Sequence, residues 1–246
     1  MDIVNMTKDA GTKQGEQRPY HHGELRRALL DAALQLVAER GRPDFTLREV
    51  ARQAGVSHNA PYNHFTDKAA LVAALTVEGF QKLEIAFRTA YEQTAGTPFE
   101  RTLAMAGAYL HFALDHPAAY SLMFRPELRQ SCHNREDSDE AVRRATMAAF
   151  QVLMDGLAAA QQAGEIRTDR PVDLLVLAML STMHGLIVLR ADYLPMDHVD
   201  QLVAGDNAAS PREKAEQLMA EVIRVTAQGL MVRGEEPTTS AAGKLG

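Results

Sequence analysis

Apolar side chains recur along this chain at the spacing of helix faces. Over residues 23–40, Leu25, Leu29, Ala32, Leu36 and Val37 share one stripe, and Gly41 follows as a plausible helix stop. Residues 46–71, TLREVARQAGVSHNAPYNHFTDKAAL, predict two short helices joined by a glycine-containing turn. Thr46 with Glu49 three positions on makes a capping box, which satisfies free amides at a helix start. Leu47, Val50 and Ala51 then share a face, and Gly55 stands where a left-handed backbone is needed. Ser57 can cap the second helix. Small Ala51 and Ala54 let the two helices cross closely, while Val56 and Phe65 turn back toward a miniature core. Pro61, about four residues into the second helix, forfeits an early intrahelical bond. The reading is a locally tightened first turn, not a broken helix.

Helix punctuation continues downstream. Thr66 or Asp67 can cap a helix running from Lys68 to about Thr94. Thr97-Pro98-Phe99-Glu100 and Ser210-Pro211-Arg212-Glu213 each combine a capping box with proline at the first helical position. Asp169-Arg170-Pro171 begins another helix in a similar way, and a further one spans 138–163 before Gly164. Long stretches lack the alternating, β-branched runs of strands. The pattern therefore predicts an all-α chain of about nine helices. Polar loops are expected at 126–137 and 192–209, and disorder at residues 1 to about 17 and in the Gly-, Pro-, Thr- and Ser-rich tail at 234–246. No repeat of fixed period is visible.

The second helix of residues 46–71 leaves Ser57, His58, Asn59, Tyr62, Asn63, His64 and Lys68 outward. A helix-turn-helix lays such a face in the major groove and sets flanking side chains on phosphates. The net charge of −6 argues against DNA until it is divided. Residues 1–68 hold 10 Lys plus Arg against 9 Asp plus Glu, a balance of +1, so the acidity lies beyond them. Affinity would come from a local basic face, doubled in a dimer. The single Cys132 excludes an intramolecular disulfide framework and fits a reducing compartment. No signal peptide opens the chain, and the most apolar segment, 174–189, is interrupted by Ser181, Thr182 and His184 and falls short of the roughly 20 residues of a membrane span. A cytoplasmic protein with no membrane association is expected.

At Thr46, Arg48, Val50, Ala51, Ala54, Gly55, Val56, Ser57, Tyr62, His64, Phe65, Lys68 and Leu71 the sequence resembles the TetR/AcrR family of transcriptional regulators. The resemblance implies a flexible arm at 1–21, a DNA-binding domain at 22–82 with its motif at about 46–65, and a helical regulatory and dimerisation domain at 83–233. At the end of the polar arm, Arg18-Pro19-Tyr20-His21-His22 can reach phosphates or the minor groove. On the reading face His58 and Asn59 are assigned to base edges, with Asn59 suited to adenine. Thr46, Ser57, Tyr62, Asn63, His64 and Lys68 are the remaining DNA candidates, mostly for phosphates; Arg48 either contacts DNA or braces the first helix.

The segment 117–126, PAAYSLMFRP, is similar to TetR-family C-terminal domains named for a Trp-His-Gly triplet, which reads Met183-His184-Gly185 here. The chain has no tryptophan. His184 is either a hydrogen-bonded core residue or a ligand contact. The resemblance implies a homodimer built by the helices at about 172–191 and 211–232, the last carrying Leu218, Val222, Val225 and Leu230 near one stripe. It also implies an effector pocket, with Met105, Tyr109, Phe112, Phe124, Phe150, Met154, Met183 and His184 as candidate liners, joined by Met123 and Met147. Those residue types suit an apolar, adaptable site, and they equally suit plain core.

The expected partners are a double-stranded DNA operator, a second copy of the chain and an unknown small-molecule effector. No cofactor, metal or enzymatic activity is expected. Asp115, His111 and His116 have no recognisable catalytic partner, and adjacent Cys132 and His133 make a weak metal site. An effector-independent DNA-binding protein or an activator remains the alternative to a ligand-released repressor.

Overall fold

Three helices begin at capping boxes, as the sequence predicts: at Thr46, Thr97 and Ser210 the side chain accepts from the third helical amide and a glutamate reaches back to the cap. The computed structural model describes residues 22–124, 136–190 and 210–231. Within them lie eight α-helices: α1 (His22–Arg40), α2 (Leu47–Gln53), α3 (Lys68–Gln93), α4 (Pro98–Asp115), α5 (Pro117–Phe124), α6 (Glu136–Gln162), α7 (Val172–Val188) and α8 (Pro211–Leu230). A 3₁₀ helix, Ala60–Asn63, stands between α2 and α3. Among the described residues the only extended pairing is an isolated bridge between Ile166 and Met231. The fold is all-α. The arm, the 192–209 loop, the 234–246 tail, Cys132 and His133 lie outside the described residues, as does the loop at 126–137 apart from its last two positions, which already belong to α6.

Two local expectations change and one open alternative is decided. The second helix of the 46–71 motif is not an α-helix capped by Ser57. Its cap is Asn59, without a side-chain cap bond, and the four residues that follow are 3₁₀. The cause is Pro61, which has no amide to donate to Ser57 O. Ala60 N takes that carbonyl at 3.0 Å, and the bonds from Tyr62 N to Asn59 O and His64 N to Pro61 O repeat the tighter spacing. Asp67, rather than Thr66, caps α3, accepting from Ala70 N at 2.8 Å. At α7, Pro171 is itself the cap and makes no side-chain bond; Asp169 instead pairs with Arg167 at 2.6 Å.

Two hydrophobic cores share elements. The head core joins Leu29, Ala33 and Leu36 of α1, Leu47 and Val50 of α2, Phe65, and Leu71, Val72 and Leu75 of α3. The body core takes Phe80, Leu83 and Phe87 from the same α3 and packs them with α4, α6, α7 and α8. Short α5 divides likewise. Its Leu122 is fully buried in the head core, whereas Tyr120 and Met123 belong to the body core. Arg27 of α1 also pairs with Glu78 of α3, a surface contact worth little alone.

Helices approach closely where glycine removes a side chain. A Cβ on Gly156 of α6 would lie 2.5 Å from Thr102 Oγ1 and 3.2 Å from Met105 Cε on α4. Gly156→Ala should therefore destabilise the fold by about 1–3 kcal/mol through overpacking. Gly107→Ala, whose Cβ meets nothing within 4 Å, should stabilise α4 by up to about 1 kcal/mol. Urea midpoints distinguish the two; equal midpoints would contradict the close α4–α6 approach.

Candidate functional site

The motif at 46–65 is held from behind and open in front. Thr46 Oγ1 donates to Glu49 Oε2 at 3.0 Å and accepts from Glu49 N at 3.2 Å. Arg40 reaches Glu49 Oε1 at 2.8 Å, and this guanidinium together with the Thr46 cap holds the Glu49 carboxyl down to about 2. A phosphate contact through the Thr46 hydroxyl would compete with that cap. Lys68 is half-buried, its ammonium 5.3 Å from the centre of the Phe45 ring. Arg26 sits over Phe65 at 5.4 Å in the same manner. Both cations are anchored on aromatic edges of the head core.

Most of the remaining DNA candidates lie at the surface. Ser57, His58, Asn59 and Asn63 are exposed, and the Tyr62 ring is 52% exposed. His64 is half-buried beside Phe65. Arg48 is exposed and braces nothing: it has no hydrogen bond or ion pair among the described residues. Arg52, one turn further along α2, is in the same condition. Sequence reading passed over Arg52, although a second arginine four positions after Arg48 shares its helix face.

In the body, three polar groups meet inside an apolar core. Tyr120 Oη lies 2.6 Å from His184 Nδ1, Tyr109 Oη lies 3.2 Å from the same nitrogen, and the two hydroxyls are 3.2 Å apart. Burial pushes the Tyr109 phenol above its ordinary pKa and the His184 imidazole below its own, so both are neutral. Phe124 closes on this group, with its ring 4.8 Å from Tyr120 and 5.0 Å from His184. Phe80 then links Phe124 at 5.5 Å to Phe150 at 6.2 Å.

Burial separates the pocket candidates. Met105, Tyr109, Phe112, Met123 and Met183 are buried in the core. Met183 is fully buried and fills core volume. Phe124, Phe150, Met154 and His184 are half-buried and retain surface. Met147 is 48% exposed and lines nothing interior, a correction to the sequence reading. Tyr120 was not foreseen as a site residue; its spacing in a short apolar helix does not reveal a partner 64 positions away.

A family model described as bacterial regulatory proteins, tetR family, matches residues 29–75, and one described as tetracyclin repressor-like, C-terminal domain, matches residues 102–204. The chain belongs to the TetR family. It is a DNA-binding transcriptional regulator carrying a helix-turn-helix, and TetR-family regulators are characteristically non-catalytic. A solved structure of a protein with unknown function from a Rhodococcus species is 31% identical and covers 88% of this chain and all of its own, with a TM-score of 0.70. A tetR-family regulatory protein from Rhodococcus shares the fold at 19% identity, covering 82% of this chain and 97% of its own with a TM-score of 0.61. The TetR-family regulator PfmR from Thermus thermophilus does so at 18% identity, covering 80% of this chain and 97% of its own, with a TM-score of 0.59. TtgW, an uncharacterized HTH-type transcriptional regulator of Pseudomonas putida, is 39% identical over 64 residues, or 26% of this chain. The chain spans about half the length of that curated relative, 48%. Among the described residues no helix is long and apolar enough to cross a membrane, and no group of three His, Cys, Asp or Glu could hold a metal ion.

This TetR-family body leaves apolar groups outside its own core on the two late helices. Leu174, Leu177 and Leu189 at α7 and Val225 on α8 are exposed, Leu177 by 60% and Val225 by 63%. Leu218 and Leu230, expected on the same stripe as Val225, are instead buried in the chain's own body.

The neutral His184 has a pH consequence. Below its ordinary value of 6.5 the unfolded chain takes up a proton that the folded site resists, so the unfolded state binds more protons. Stability should fall as pH drops from 6.5 through the lowered folded value. In His184→Gln the difference in urea midpoint between about pH 7.5 and about pH 5.5 should shrink; an unchanged difference would place the pH sensitivity elsewhere.

Proposed function

We propose that the chain is a homodimeric repressor that holds a pseudo-palindromic operator and is released from it by a small-molecule effector. The exposed Leu174, Leu177 and Leu189 at α7, together with exposed Val225 on α8, are the observation that carries this reading. A monomer leaves these side chains in water, whereas a two-fold pairing of α7 and α8, over about 172–191 and 211–232, covers them. Pairing also presents two heads to one duplex, which a region with a balance of only +1 needs for affinity. His58 and Asn59 read base edges. Ser57, Tyr62, Asn63, His64, Thr46 and Lys68 position phosphates, joined by Arg48 and Arg52 of α2, which have no ion-pair partner among the described residues. The division into a DNA-binding domain at 22–82 and a regulatory domain at 83–233, with an arm before and a tail after, belongs to the same reading, as does action in the cytoplasm.

The effector meets Phe124, Phe150, Met154 and His184, with Met105, Tyr109, Phe112 and Met183 packed behind them. The Pro117–Phe124 segment and His184-Gly185 support grouping the body with the domains named for the Trp-His-Gly triplet, Met183 standing in for the tryptophan. Release requires the effector to prefer one of two arrangements of the heads; tight binding alone shifts nothing.

Selection of bound DNA from a random pool should return a short palindrome, and a compound screen should find a molecule that frees it; diffuse binding indifferent to compounds would favour an effector-independent protein. Asn59→Ala should relax preference at one base position by about 1–3 kcal/mol. Equal weakening on every sequence would remove Asn59 from direct readout. Leu177→Glu should sediment as a monomer and lose operator affinity on the order of 100-fold. A dimer that persists in this variant would move the interface elsewhere.

A further inference from the structure

The hydrogen-bond geometry around His184 fixes where its proton lies. Two phenol hydroxyls converge on Nδ1, at 2.6 Å from Tyr120 and 3.2 Å from Tyr109. A neutral imidazole accepts at one nitrogen and donates at the other. Tyr109 is fully buried with only Tyr120 Oη and His184 Nδ1 in reach of its hydroxyl, so the arrangement that leaves no buried proton unmatched has Tyr109 donating to Tyr120 and Tyr120 donating to Nδ1. The proton sits on Nε2. Among the described residues nothing accepts from Nε2–H. His184 is half-buried and its Nε2 keeps an opening to the surface, so an acceptor on a ligand can take the place of water there. The rings that continue from it are apolar: Phe124, 5.0 Å from the imidazole, then Phe80 and Phe150, which follow at 5.5 Å and 6.2 Å.

We propose that this site takes an apolar compound bearing a single hydrogen-bond acceptor, a carbonyl, carboxylate or ether oxygen, which His184 Nε2–H receives while the aromatic rings hold the rest. The proposal rests on the effector-pocket reading above and specifies the chemistry of its ligand. An ammonium head group gains nothing from the imidazole, because Nε2–H is a donor and the ring's acceptor, Nδ1, is already taken by Tyr120. Tyr120 and Tyr109 act as positioning residues: they hold the tautomer that makes the ring a donor.

Four compounds on one scaffold test this with the full-length protein: naphthalene, 2-acetylnaphthalene, 2-naphthoate and 2-naphthylmethylamine. Calorimetric titration should rank the two oxygen-bearing compounds about tenfold tighter than naphthalene, with the amine no better than naphthalene. In histidine-labelled protein, nitrogen spectra should show His184 protonated at Nε2 and that resonance moving with 2-acetylnaphthalene. In His184→Phe the oxygen preference should collapse while naphthalene still binds. An oxygen preference that survives in His184→Phe, a preference for the amine, or a proton found on Nδ1 would each overturn the proposal while leaving an apolar pocket standing. An Nε2 resonance that responds to dimer dissociation in Leu177→Glu but not to the compounds would also overturn it, giving the donor to the partner subunit. No binding by any of the four, naphthalene included, would overturn the pocket reading and the proposal together.

Discussion

One uninterrupted helix, α3, takes part in two hydrophobic cores. Its first turns supply Leu71, Val72 and Leu75 to the head, and its later turns supply Phe80, Leu83 and Phe87 to the body. Its 26 residues are stiffened by the Asp67 cap and contain no proline or kinked turn. Neither core can reorient freely while both grip the same rod. The motif at 46–65 and the aromatic site are thereby linked through α3, though they share no residue.

Within the head, electrostatics limit what remains for DNA. Arg40 is spent on Glu49, Arg42 on Asp44 and Arg27 on Asp31 and Glu78, while Arg26 and Lys68 lie against aromatic rings. Arg48 and Arg52 on α2 are left without such partners among the described residues. Charge alone would make a weak binder, and the proposed reading therefore gives much of the contact to the polar side chains around the 3₁₀ turn.

Much of this was legible in the sequence because it is encoded locally. Thr46, Thr97 and Ser210 announce helix starts through residues three positions away, and glycines at 41, 55 and 164 have the left-handed φ that ends or turns a helix. Ser57 and Pro61 show where local rules compete. Serine could cap, but proline's missing amide decided the bonding and delayed the helix to a short 3₁₀ turn. The aromatic site was only partly legible. Residue type marked Tyr109, Phe124 and His184, but which side chains bury completely depends on contacts between α4, α5 and α7, dozens of positions apart. Met147 was misplaced for that reason, and Tyr120 overlooked.

The double allegiance of α5 bears on how this regulator could be taken apart. Leu122, though it lies far along the chain from Leu75, the last head-core side chain of α3, is fully buried among those of α1 and α3. A head cut out at any point inside α3 would carry a leucine-sized hole on one side. A head transplanted onto a foreign body would present that hole to whatever helix the new body offers. The exchangeable unit is thus the head together with α5, and chimeric regulators assembled from this chain would need a joint that keeps a leucine in that socket.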